Sequence, residues 1–168
     1  MGTWHNDDGL YIKFGITEGT AGKGGAYKMD GPYNVIELKI TGTDLTSTAA
    51  IVSDVVWVPD NSRVDKVEVL AETLMNSAGN GATLDIGLIA KDRSTAVGGG
   101  DDGLVAGLVE ASMDPAGDWQ EVVIGHTYVG ADIGTTITAG PAYITANYNT
   151  EAFTAGVIRV RVFFRQMS

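Results

Sequence analysis

From Ala82 to Ala90 the chain alternates. Ala82, Leu84, Ile86, Leu88 and Ala90 fall on one side, and Thr83, Asp85, Gly87 and Ile89 on the other. A period of two predicts a strand with one buried and one wet face. The same rhythm recurs along the chain. Leu10, Ile12, Phe14 and Ile16 alternate with Tyr11, Lys13 and Gly15, and Ile36, Leu38 and Ile40 with Glu37, Lys39 and Thr41. Val67, Val69 and Ala71 alternate with Lys66, Glu68, Leu70 and Glu72. Val122 and Ile124 follow Trp119, Tyr143 to Tyr148 reads YITANY, and Ile158, Val160, Val162 and Phe164 alternate with Arg159, Arg161, Phe163 and Arg165. Turn residues separate these runs: Gly22 to Gly25, Asp30-Gly31-Pro32, Pro59 to Ser62, Asn76 to Gly81, Gly98 to Gly103 and Asp114 to Gly117. The best helix candidate is Leu104 to Met113, where Leu104, Leu108 and Ala111 share a face, but Gly107 weakens it.

Roughly seven or eight such strands with polar turns predict an all-β chain, a single antiparallel β-sandwich of jelly-roll type. Residues 1–33 stand apart from the sandwich at 34–168. They carry eight glycines, at positions 2, 9, 15, 19, 22, 24, 25 and 31. Ordering such a stretch costs much backbone entropy. It also carries Trp4, Leu10, Tyr11, Ile12, Phe14, Tyr27 and Tyr33, too many large apolar groups for a solvated tail. The segment reads as a first strand with a long loop, or as an arm whose aromatic anchors bury against a neighbouring subunit. Leu10 to Ile16 can then add to a sheet edge.

Composition narrows the function classes. Eleven basic and 21 acidic residues give a net charge of −10, which argues against a nucleic-acid backbone or an anionic membrane as partner. Charged residues are only 19 % and glycines number 23, in keeping with a turn-rich β domain. With no cysteine there is no disulfide framework, Cys-ligated zinc or thiol nucleophile. The N-terminus shows no secretory signal, and Asn6 stands where a myristoylation motif needs Ser or Thr.

Candidate chemistry is sparse. Gly98-Gly99-Gly100-Asp101-Asp102-Gly103 fits G-x-G-x-x-G, but two carboxylates would face the pyrophosphate and no βαβ unit surrounds it. The expected structure there is a flexible hairpin loop. Gly19 to Gly24 lacks the first Gly and the final Ser or Thr of a P-loop. His5 with Asp7 and Asp8 could hold a divalent cation, but a solvated N-terminal segment is the favoured reading. His126 is expected to hydrogen-bond locally. Asp7/Asp8 and Asp101/Asp102 offer oxygen ligands without an ordered calcium-ligand spacing. No cofactor, metal site or catalytic residue is assigned, and the chain is read as non-enzymatic. Trp4, Trp57 and Trp119 suit core or interface packing, with stacking on sugars as the alternative.

The second half carries a resemblance. Its residues run Val64-Asp65-Lys66-Val67-Glu68-Val69, then Gly81-Ala82-Thr83-Leu84-Asp85-Ile86-Gly87, then Asp102-Gly103-Leu104-Val105. Thr136-Ile137-Thr138-Ala139 and Thr154 to Val162 follow. In order and spacing this series, over about residues 55–165, resembles small structural proteins of tailed-bacteriophage virions and prophages. The resemblance implies β-sandwich or jelly-roll modules that decorate heads or form fibres, usually as homotrimers, with no catalytic residues. It implies a head decoration or cement protein that stabilises the capsid through contacts with the major capsid protein or other virion proteins. Its place would be the virion, assembled in the host cytoplasm. The candidate contact residues are Trp4, Tyr11, Phe14, Tyr27 and Tyr33 of the arm and Arg63 at the Asp60–Arg63 loop tip. The alternative is a carbohydrate-binding module of a head or tail fibre, which requires a row of exposed aromatic side chains.

Overall fold

The structure, a computed structural model, describes residues 4–5, 11–12, 25–30, 33–53, 55–113 and 119–167. Most of the period-2 runs become strands, with only Tyr11–Ile12 of the Leu10–Ile16 run among the described residues, and two antiparallel sheets enclose one core. Strand β1 (Trp4–His5) pairs with β2 (Tyr11–Ile12) in a small separate ladder. A five-stranded sheet contains β3 (Gly25–Asp30), β4 (Tyr33–Thr41), β6 (Ser62–Ser77), β9 (Gln120–Val122) and β11 (Phe153–Gln166), in the order β3-β4-β11-β6-β9. A four-stranded sheet contains β5 (Ala50–Ile51), β7 (Thr83–Ala90), β8 (Val105–Val109) and β10 (Ala142–Asn149), in the order β5-β10-β7-β8. From β4 onward the chain crosses repeatedly between the sheets, so consecutive strands rarely pair.

Inward residues of both sheets meet in one core cluster. Ile36, Leu38 and Ile40 of β4, Val67 and Val69 of β6, and Ile158, Val160, Val162 and Phe164 of β11 face Leu84, Ile86 and Leu88 of β7 and Ile144 and Ala146 of β10. The expected alternation of β4, β6 and β11 therefore holds. The two long strands bend at register shifts around Ala155–Ile158 and at Phe163/Phe164. Gly156, at φ 112°, sits in the first of these, and a Cβ there would lie 2.6 Å from Met75 Cα. Only glycine tolerates both that backbone and that approach.

Three expectations are corrected, and the weak helix candidate at 104–113 is resolved as a strand: Val105–Val109 is β8, and a 3-10 turn, Glu110–Met113, follows. Gly107 adopts φ 67° at a register shift opposite β7, which interrupts any helical face. The strand after Trp119 stops at Val122, leaving Ile124 70 % exposed. The polar side of β7 is not wet, because Asp85 and Gly87 are both buried. Its cover is the Gly98–Gly103 segment, which is no free hairpin tip. Gly100–Asp102 forms a 3-10 turn laid on β7 so closely that a Cβ on Gly87 would lie 1.8 Å from the Gly100 carbonyl oxygen.

Candidate interaction surface

The outward row of the five-stranded sheet alternates charge across strands. Arg159 is opposite Lys39 on β4 and Leu70 on β6, and Arg161 is opposite Glu37 and Glu68. Arg159 bridges Glu37, at 2.8 Å, and Glu72, which also takes Lys39 at 2.8 Å. Arg161 reaches Glu37 at 2.9 Å and Glu68 at 3.8 Å, and Lys66 joins Glu68 at 2.8 Å to Glu121 at 3.0 Å. Asp65, beside the shift at Phe163/Phe164, accepts from both Arg63, at 2.8 Å, and Arg165. Aromatic rings sit under these cations. Lys66 lies over Phe163 at 4.1 Å, Arg161 over Trp119 at 4.1 Å and Arg165 over Tyr33 at 5.5 Å.

This lattice shifts its own titrations. Hydrogen bonds from Lys39 and Arg159 hold Glu72 below the usual carboxylate range. Burial raises Asp65, but the two guanidinium bonds outweigh it and its pKa falls. Burial lowers Lys66, and Glu68 and Glu121 more than reverse that. Six of the chain's 11 basic residues stand here, paired with carboxylates. The acidic excess of the chain is therefore carried by other residues.

On the other sheet the polar groups pin loops. The Asp85 carboxylate accepts the Gly107 N–H at 2.6 Å, filling the gap that the β8 irregularity opens in the ladder. Burial pushes its pKa up, and the Asp102 and Asp101 charges add to that against the Gly107 bond. Asp132, 3 % exposed, takes the Gly99 N–H on both oxygens at 2.9 Å and the Thr136 hydroxyl at 2.7 Å. The Ser77 hydroxyl donates to Glu110 at 2.6 Å, and Glu151 accepts the Gly79 N–H at 2.7 Å, closing the turn between β6 and β7. Asp92 is held at a pKa of about 2 by the Thr95 hydroxyl and the Ser94 and Thr95 N–H groups. His126 accepts the Tyr128 N–H on Nδ1 at 3.3 Å, the local bond expected of it.

Two of the six candidate contact residues come together. Arg63 and Arg165 are cross-strand partners, and Arg165 lies over the half-buried Tyr33 ring. Arg63 is thus inside β6 rather than at a loop tip, bonded to Asp65. Ile137, 48 % exposed, bridges to Arg63. Ile124 packs over Gly134, whose N–H bonds Val64 O at 2.7 Å. The Arg63 end of the five-stranded sheet therefore gathers Tyr33, Arg63, Arg165, Ile124 and Ile137. Trp4 and Tyr11 lie on the β1–β2 ladder, which joins neither large sheet, and Tyr27 pairs with Ile36 across β3 and β4. Phe14, Asp7, Asp8 and the Asp114–Gly117 turn lie outside the described residues.

The aromatic rings described at Tyr33, Trp57, Trp119, Tyr128, Tyr143, Tyr148, Phe153, Phe163 and Phe164 are all buried or half-buried. The exposed aromatic row that glycan stacking requires is not found among the described residues. Nor do three His, Cys, Asp or Glu side chains converge among them. Sequence reasoning missed Asp85 and Asp132. The one available signal was Gly87, since a glycine inside a strand marks a close backbone approach.

No protein-family model and no curated protein matches the sequence. Among solved structures, a chain of the capsid of Ralstonia phage GP4 shares the fold at a TM-score of 0.55 and 13 % sequence identity, over 82 % of this chain and 86 % of that one. A chain of the cyanophage Pam1 capsid asymmetric unit aligns at a TM-score of 0.49 and 20 % identity, over 90 % of this chain and 93 % of that one.

Proposed function

We propose that the chain is a non-enzymatic structural protein of a tailed-bacteriophage virion, a head decoration or cement protein working as a homotrimer. The observation that carries this is the shared fold with a phage capsid chain, running through 86 % of that chain's length. A likeness over 82 % of this chain and 86 % of that one supports a capsid component over a catalytic module. The chemistry is in keeping: the charged row of the five-stranded sheet is spent on ion pairs, and Glu151 and Asp132 close turns.

In this role the sandwich is a rigid body that bridges neighbouring capsid subunits. Pressure from packaged DNA pulls those subunits apart, and contacts across the junction oppose it. The Arg63 end of the five-stranded sheet supplies exposed Ile124 and Ile137 beside charged and aromatic groups, a mixture suited to an interface with an apolar centre and polar rim. The segment ahead of β3 supplies the second contact through Trp4, Tyr11 and Phe14, with Tyr27 beside it on β3 at the sheet edge.

Co-sedimentation tests the proposal. Capsids assembled without this chain, from the genome that encodes it, are mixed with the purified protein. Saturable binding, with heat resistance restored to the particles, supports the cement role. Binding to neither empty nor filled heads overturns it.

A further inference from the structure

We propose that the outer face of the four-stranded sheet, where β7 and β10 pair beneath the Gly98–Gly103 segment, binds one calcium ion through the Asp85 carboxylate and the side-chain oxygens of Asn147 and Thr145. In the β7–β10 ladder Asn147 stands opposite Asp85, and Thr145 opposite Gly87. All lie on the face turned away from the core, so their oxygens form one contiguous patch. Thr145 is 2 % exposed and Asn147 4 % exposed. Yet Thr145 Oγ1 and Asn147 Oδ1 have no hydrogen-bond partner among the described residues. Native structures rarely leave buried acceptors unpaired, because nothing then repays their lost hydration.

What surrounds the two acceptors makes a cation the fitting partner. Asp85 is buried beside them, and none of the ion pairs among the described residues includes it. Asp101 and Asp102 belong to the 3-10 turn laid across β7, and the Gly100 carbonyl oxygen lies directly over Gly87. The N–H donors here are the Gly107 backbone and the Asn147 and Asn149 amides, and the remaining polar groups are oxygens or bring negative charge. Carboxylate, amide, hydroxyl and carbonyl oxygens in an irregular array, completed by water, are what calcium accepts. Magnesium demands a tighter octahedron, and zinc favours nitrogen and sulfur. The sequence pointed to Asp101/Asp102 as possible ligands; here they are the charged rim of a site whose ligands come from the strands.

The full-length protein, stripped with EDTA and dialysed, is titrated with CaCl2 by calorimetry and by thermal denaturation, with MgCl2 as comparison. The expected result is one calcium per chain, a melting temperature raised by roughly 5 °C at saturation, and a smaller effect of magnesium. Asp85→Asn should weaken calcium binding on the order of tenfold or more. Thr145→Val is the second variant and keeps the test decisive if Asp85→Asn does not fold. It should melt higher than the parent in EDTA, having lost an unpaired hydroxyl, and respond less to calcium. The double variant Asp7→Asn/Asp8→Asn should respond like the parent. No heat and no change in melting at about 5 mM CaCl2 would overturn the site. So would an undiminished calcium response in Thr145→Val, or its loss in the Asp7/Asp8 variant.

Discussion

Gly87 and Asp132 hold the same segment from two sides. The missing side chain of Gly87 lets the Gly100–Asp102 turn lie on β7, and the Asp132 carboxylate ties Gly99 and Thr136 to it. Gly87→Ala sets a methyl against backbone, which cannot yield as a flexible side chain would. It should cost about 1–3 kcal/mol, read as a fall of several degrees in melting temperature. Asp132→Ala removes the shared acceptor of the Gly99 N–H and the Thr136 hydroxyl; both donors can turn to water, so the expected cost is about 1 kcal/mol for each bond. If either variant melts with the parent, the segment is not packed as described. Gly87 was visible in the sequence as an irregularity inside an alternating run, but what approached it was not. Asp132 was one of 21 carboxylates with nothing local to single it out, because its partners lie 33 residues away at Gly99.

The strands β4, β6 and β11 could be read from their residues, because each buries one face and leaves the other to charge. Strands β7 and β10 could be placed but not understood. Asp85 and Asn147 occupy positions that alternation assigns to water, and the segment that covers them comes from elsewhere in the chain. Leu104 to Met113 was ambiguous because its apolar spacing suits a helix, and only pairing with β7 decides for a strand. The charge lattice leads to a pH prediction. Glu72 and Asp65 titrate lower in the fold than their ordinary values of 4.5 and 3.8. The stability they contribute is present above those values and is lost as pH falls through the lower folded ones. Melting temperature should therefore hold from pH 7 to about pH 5 and fall below about pH 4. Arg159→Met, which takes one of the cations from each of Glu37 and Glu72 and leaves Arg161 and Lys39 in place, should cost about 1 kcal/mol at pH 7 and shrink that acid-induced fall. An equally steep fall in the variant would assign acid sensitivity to other carboxylates.

At the scale of the molecule, period-2 patterning was sufficient for an all-β class, a sandwich or a barrel, and the strand pairings decide for two packed sheets. Which strands share a sheet was not legible, because the chain crosses between layers and the pairings β11 with β4 and β10 with β7 span long sequence distances. The segment ahead of β3 adds a prediction of its own. Deleting residues 1–24 leaves β3 and every strand after it, so the truncated protein should keep a β circular dichroism spectrum and cooperative melting while binding particles poorly. Full binding would show that the arm is not an anchor, and an unfolded product would show that it belongs to the sandwich. A cryo-electron microscopy map of particles assembled from the encoding genome tests the virion role most directly. The expected map shows the two-layer sandwich outside the shell, in threefold clusters at junctions between capsid subunits, with the Arg63 end turned toward a neighbour. A map of intact particles with no density for the chain, and no peptides from it in the same purified sample, would contradict that role.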